Sequence, residues 1–166
     1  MCLITKNKLT NSGKEEIVCY KVLEYNRIYG HYKTPYFPMV VDQDTIKGKK
    51  QLKAENYHGD KKVKLRAKLW NADEYRAKKA KVYDKNAKTA EAGFIHTFKN
   101  LEDAKAEVET WHKCGNTFKI FECVIPKNTL YVEGNYFYGS FGEVCKDLNG
   151  LKTFASTRIK FIKEVK

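Results

Sequence analysis

Gly93-Phe-Ile-His-Thr-Phe98, the stretch Leu101 to Trp111, and Phe118-Lys-Ile-Phe-Glu-Cys-Val-Ile125 followed by Pro126 decide the fold of this chain. In an extended segment side chains alternate, so Phe94, His96 and Phe98 share one face and Ile95 and Thr97 the other. Asn100 stands where a helix N-cap belongs, and Glu102 and Asp103 suit the positive end of the helix that follows. Leu101, Ala104, Val108 and Trp111 recur at helical spacing and give one apolar face of about three turns. Lys113 and Gly115 supply stop signals. Phe118 to Ile125 is apolar except at Lys119 and Glu122 and is rich in β-branched and aromatic types. That composition predicts a strand covered on both faces, ended by Pro126, which cannot donate to a ladder.

Working outward, Asn11-Ser-Gly13 reads as a turn, and Ile17 to Leu23 as a buried strand interrupted only by Lys21. Tyr25 to Pro38 carries Tyr25, Tyr29, Tyr32 and Tyr36 with Pro35 and Pro38; Tyr25 to Tyr36 reads as an aromatic-rich loop, in which Thr34-Pro-Tyr-Phe-Pro38 is expected to be stiff and extended and to present rings at small ordering cost. From Lys61 to Trp70, Val63, Leu65, Ala67 and Leu69 alternate with Lys62, Lys64, Arg66 and Lys68, the pattern of an amphipathic strand with a cationic face. Same-face residues there lie about 6.5–7 Å apart, near the spacing of successive phosphates, although a lysine-rich solvated edge has the same pattern. Asp73 to Tyr83 reads as helical. Thr129 to Val132 reads as a strand, Glu133-Gly-Asn135 as a turn, and Tyr136 to Gly142 as a ring-bearing loop. Phe154 to Val165 gives one closing strand with Ile159 and Phe161 inward and Arg158 and Lys160 outward. This order predicts an α+β fold: a single domain over 1–166 with a mixed or mostly antiparallel sheet, one or two packed helices and a lysine-rich insert at 43–92.

The 166 residues are 42% hydrophobic and 13% aromatic, enough for a core and unlike a disordered basic tail. No segment reaches the roughly 18 apolar residues of a membrane span, and the N-terminus lacks a signal-peptide core. The five cysteines, at 2, 19, 114, 123 and 145, form no CxxC pair, and Cys19 and Cys123 fall inside apolar strands. Reduced thiols in a cytosol are expected, with no metal site and no cofactor. The net charge of +12 is uneven: residues 43–92 hold 13 Lys and 2 Arg against 3 Glu and 4 Asp, a local excess of +8. Such a surface attracts anions.

No Ser-His-Asp signature, glycine-rich phosphate loop, HExxH or paired-carboxylate motif is present, and neither is any standard nucleic-acid-binding motif. Two candidate catalytic residues remain. Cys2 becomes an N-terminal nucleophile if Met1 is removed, and His96 is a candidate base. A buried inert thiol and a half-buried structural histidine are the plainer readings of the same residues. For binding, rings stack on bases while cations meet phosphates. Tyr20, Lys21, Tyr36, His96, Arg158 and Lys160 form a candidate pocket for a small anionic ligand, and Lys62, Lys64, Arg66 and Lys68 a candidate stripe for a polymer.

The spaced set Met1-Cys-Leu-Ile-Thr-Lys6, Ile17-Val-Cys-Tyr-Lys-Val-Leu23, Thr34-Pro-Tyr36, Gly93-Phe-Ile-His-Thr-Phe98 and Cys123-Val-Ile-Pro-Lys-Asn-Thr-Leu-Tyr-Val-Glu-Gly134 resembles a group of small proteins encoded by tailed phages and prophages, notably of gut bacteria. The resemblance covers both ends and the centre, not the insert, and carries no assigned activity. Asn128 stands where that group has Gly, a change compatible with a left-handed turn. The resemblance implies a phage context and the cytoplasm of a bacterial host. Joined to the charge and the rings, it leads to the expectation of a protein that binds an anionic nucleotide ligand, with sequestration of a host defence signal as its role. The alternatives are an enzyme cleaving such a ligand through Cys2 or His96, a single-stranded nucleic-acid binder, and an inhibitor of an acidic host protein.

Overall fold

Phe118–Ile125 (β10) is flanked on both edges and covered on both faces, as its run of apolar residues, interrupted only at Lys119 and Glu122, requires. The structure, a computed structural model, describes residues 2–35, 40–54, 65–67, 88–90, 94–112, 117–137 and 151–165. Around β10 the strands are β1 (Cys2–Thr5), β2 (Thr10–Asn11), β3 (Ile17–Asn26), β4 (His31–Lys33), β5 (Val40–Val41), β6 (Leu52–Lys53), β7 (Leu65–Ala67), β8 (Lys88–Ala90), β9 (Ile95–Phe98), β11 (Leu130–Phe137), β12 (Lys152–Ser156) and β13 (Arg158–Val165). The helices are α1 (Gln43–Ile46) and α2 (Leu101–His112). All described pairings are antiparallel, in the order β6-β13-β10-β3-β9-β12-β11-β1-β8-β7. The fold is thus mostly antiparallel sheet with helices packed on it.

Alternation along β3 and β10 sorts the core into two faces. Cys19, Leu23, Phe121, Cys123 and Ile125 point to one side, where Ile95, Phe154, Ile159, Phe161, Val41 and Leu52 join them. Val22, Phe118 and Ile120 point to the other, against Phe98 and Ala104 of α2. The full burial of Ala104 shows α2 lying close on the sheet, as its spacing predicts. Asn100 starts this helix with its carbonyl, which accepts from Ala104 N at 3.3 Å.

Three local readings change. Tyr25 to Lys33 is a hairpin, β3 turning into β4, because pairing continues through Tyr25↔Tyr32 and Asn26↔His31. Glu133-Gly-Asn135 is not a turn: β11 runs through it, held on one edge by β12 and on the other by β1. The closing strand is broken at Thr157 into β12 and β13, which belong to different places in the sheet. Asn128 does adopt the left-handed conformation, at φ 53°, in the turn from β10 to β11. The predicted helix at Asp73 to Tyr83 and most of the ring-bearing loop at Tyr136 to Gly142 lie outside the described residues.

Candidate functional site

β3 is fully paired with β10, from Ile17↔Ile125 to Phe118↔Glu24, yet it meets β9 at a single pair, Tyr20↔Phe98. The sheet therefore opens into a seam next to Lys21. The Lys21 side chain fills it: its Nζ donates to the His96 carbonyl at 2.8 Å, supplying a donor that no β3 backbone amide provides. Lys21 is only 6% exposed. Burial pushes its pKa down to about 8, partly offset by Cys123, Cys19 and the Glu107 carboxylate. Glu107 is buried on α2, so this ammonium is within electrostatic reach of thiols on one face of the sheet and of an acid on the helix.

His96 sits on the α2 face, beside the seam. Burial drives its pKa down to about 3, and the Lys21 cation acts in the same direction, so the ring is neutral. Its Nδ1 is buried without a hydrogen-bond partner. Thr97, on the opposite face, has its hydroxyl buried near the Cys19 thiol without a well-formed hydrogen bond. Burial raises the Cys19 pKa to about 12 and that of Cys123 well above its ordinary value, so both thiols are protonated at neutral pH.

The other concentration of functional groups is the tip of the β3–β4 hairpin. Asn26 builds the turn: its Oδ1 accepts from Ile28 N at 3.0 Å and Tyr29 N at 3.1 Å, and its carbonyl accepts from Gly30 N at 2.9 Å. Gly30 takes φ 64°, a conformation that disfavours other side chains. With the turn satisfied by its own backbone, Arg27, Ile28 and Tyr29 face water, Ile28 at 86% and Tyr29 at 73% exposure. The Tyr29 ring stacks on His31, with centroids 5.9 Å apart and planes within 17°. Below the tip, Tyr25 packs on Tyr32 and Tyr32 meets Phe121 edge-on, which roots the hairpin in the core. Lys33 pairs with Glu24 at 3.0 Å, leaving Arg27 as the cation nearest the exposed ring in sequence.

Of the six residues expected to share a pocket, the five that are described do not all come together. Lys21 and His96 meet. Tyr20 points away from Lys21 and packs against the α2-side core. Arg158 is committed to the β10–β11 turn, where Nη2 donates to Asn128 O at 2.7 Å and lies 3.1 Å from Thr129 Oγ1. Lys160 is exposed on β13. Tyr36 lies outside the described residues, as do Lys62, Lys64 and Lys68 of the polymer stripe. Arg66 is in β7, the last described strand at one end of the sheet. Cys2 is in β1, separated from His96 of β9 by β12 and β11 in the strand order.

Sequence reasoning missed Glu107 and Asn26. Glu107 follows Ala104 by three positions on the apolar stripe of α2, and an acid at that phase is the signal of a buried charge. Asn26 and Gly30 bracket the hairpin turn, a signal masked by attention to the tyrosines. No group of three or more metal-binding side chains occurs among the described residues, and none of their helices is long and apolar enough to cross a membrane. No protein-family profile matches the chain, and neither the curated proteins nor the solved structures searched give a match.

Proposed function

We propose that this basic, phage-type protein binds an anionic ligand carrying a nucleobase, a nucleotide or short oligonucleotide, at the β3–β4 hairpin, and that sequestering such a ligand from host defence is its role. The observation that carries the reading is the Tyr29–His31 stack with its exposed tyrosine ring, two residues after the exposed Arg27 in sequence, on a turn that Asn26 and Gly30 hold in place. An exposed ring gives a base a face to stack on, and a neighbouring guanidinium meets phosphate. The +12 net charge adds long-range attraction for anions. Pre-ordering of the turn lowers the cost of immobilising these groups on binding.

The test is the melting temperature of the full chain, wild type and Tyr29→Ala, against mono-, di- and cyclic oligonucleotides and a short single-stranded DNA at two salt concentrations. A ligand specific for the native state raises stability with the logarithm of its excess over Kd. The expected result is a salt-tolerant shift with one nucleotide class that Tyr29→Ala loses. A shift that survives Tyr29→Ala contradicts binding at the tip, and a shift with DNA alone that vanishes in salt favours the polymer reading. No shift with any ligand favours an acidic protein partner.

Cleavage of the ligand is the second reading, favoured by the neutral His96 ring, whose buried Nδ1 has no hydrogen-bond partner, and opposed by a pKa of about 3, which makes the ring a weak base. Product analysis of the bound ligand separates the two: intact ligand supports sequestration, and cleavage lost in His96→Phe supports catalysis.

A further inference from the structure

Cys19 and Cys123 are direct cross-strand partners in the β3–β10 pairing. Both are free and fully buried. Directly opposed residues of an antiparallel pair have Cα atoms about 4.5–5.5 Å apart, inside the about 4.4–6.8 Å that a disulfide spans. The two residues lie on the same face, among Leu23, Phe121 and Ile125. A third group distinguishes them from two adjacent core thiols. Lys21 is two residues from Cys19 on that face of β3, and its ammonium is held in the seam by the His96 carbonyl. Burial keeps both thiols protonated, and the Lys21 cation opposes that effect at each sulfur, so the small thiolate fraction, the nucleophilic form in thiol–disulfide exchange, is larger with Lys21 than without it.

We propose that Cys19 and Cys123 are a redox pair, forming a cross-strand disulfide that ties β3 to β10 when the protein meets a small-molecule disulfide oxidant. One cysteine thiolate attacks the oxidant, forming a mixed disulfide and expelling one small thiolate. The second cysteine thiolate attacks the protein sulfur of that mixed disulfide and expels the other. Two protein thiols are oxidised, one small disulfide is reduced to two thiols, and the two protein protons pass to the departing thiolates. Both sulfurs are fully buried and Lys21 fills the seam, so the oxidant reaches them only when β3 and β9, joined at one residue pair next to Cys19, open locally. Oxidation is therefore slow compared with that of an exposed thiol. Lys21 is the positioning residue and takes no part in the bonds that form.

The test uses the full chain with Cys2→Ser, Cys114→Ser and Cys145→Ser, which leaves only the proposed pair. After incubation with excess oxidised glutathione and quenching, thiols are counted in denaturant. The proposal expects loss of both thiols, a monomeric chain lighter by two hydrogens, and a linked peptide containing Cys19 and Cys123. Two persisting thiols, a glutathione adduct or a disulfide-linked dimer overturns it. Peptide mapping of the oxidised wild-type chain asks the same question without substitutions: a Cys19–Cys123 link supports the pair, and its absence overturns it. In Lys21→Met, with circular dichroism unchanged, oxidation slows several-fold. An unchanged or faster rate removes Lys21 from the role.

Discussion

Lys21 and Arg27 lie six residues apart on the same strand and turn, with opposite relations to water. Lys21 is sealed in the β3–β9 seam with its ammonium on the His96 carbonyl, next to thiols and within reach of Glu107. Arg27 stands in solvent at a turn whose amides Asn26 has already satisfied. The inner cation is occupied in completing the sheet and has no surface on which to meet a ligand. The outer one, with the Tyr29–His31 stack, has been left available by a turn that satisfies itself. A buried polar cluster with shifted pKa values is a common mark of function. Here the shifts arise mainly from burial, and the groups free to bind are at the tip.

The largest expected effect is on the inner region. Lys21→Ala removes the donor to His96 O and leaves a void, and should destabilise the fold by about 2–3 kcal/mol in denaturant unfolding. Loss under 0.5 kcal/mol would mean that the seam closes without it. The pH dependence follows from the same burial. The folded pKa of Lys21 is about 8 against 10.5 for an ordinary lysine, so between those values the unfolded chain binds more protons and stability rises with pH. Cys19 acts oppositely above pH 9, because its folded pKa is about 12 and the unfolded chain loses its proton first. Stability should therefore climb from pH 8 to about 9 and then flatten or fall, and Lys21→Met should abolish the climb. For His96, with a folded pKa of about 3 against 6.5, stability should decline as pH drops from about 6.5 towards 3. Replacing it with Phe should flatten that limb, and an unchanged limb would assign the acid sensitivity to other groups.

At the tip the effects move to binding. Tyr29→Ala should weaken a nucleotide ligand by about 1–3 kcal/mol, measured by calorimetry, while the unliganded protein keeps its stability to within about 0.5 kcal/mol. Equal losses of affinity and stability would make Tyr29 a structural residue. Arg27→Ala is the smallest change: with a short single-stranded DNA it should reduce the slope of log K against log salt by about 0.7, one phosphate contact, and leave the melting temperature unchanged.

The strand–helix–strand centre was legible because Leu101, Ala104 and Val108 repeat at helical spacing and Phe118 to Ile125, apolar except at Lys119 and Glu122, ends at Pro126. The alternation at Ile159 and Phe161 likewise put both residues in the core. The continuation of β11 through Glu133-Gly-Asn135 was not legible. Those residue types favour turns locally, and the pairing that overrides them comes from β1 and β12, far away in sequence. Among the described residues of the candidate pocket, only Lys21 and His96 come together. Their meeting depends on where β9 leaves β3, which no local pattern encodes. The role of Arg158 was hidden for the same reason, since the turn it caps at Asn128 is 30 residues away. The aromatic hairpin was recognised as a place that presents rings. Its form was misread because Pro35 and Pro38 suggested a stiff extended loop, while Asn26 and Gly30 close the chain before the prolines are reached.

The most direct measurement is an amide chemical-shift titration of the labelled full chain with the nucleotide that gives the largest thermal shift. Binding at the hairpin predicts saturable changes concentrated in residues 25–33, with the amides of 19–21 and 95–97 nearly still. Changes centred on Lys21 and His96, with Arg27 to Gly30 unmoved, would contradict it and place the ligand at the seam.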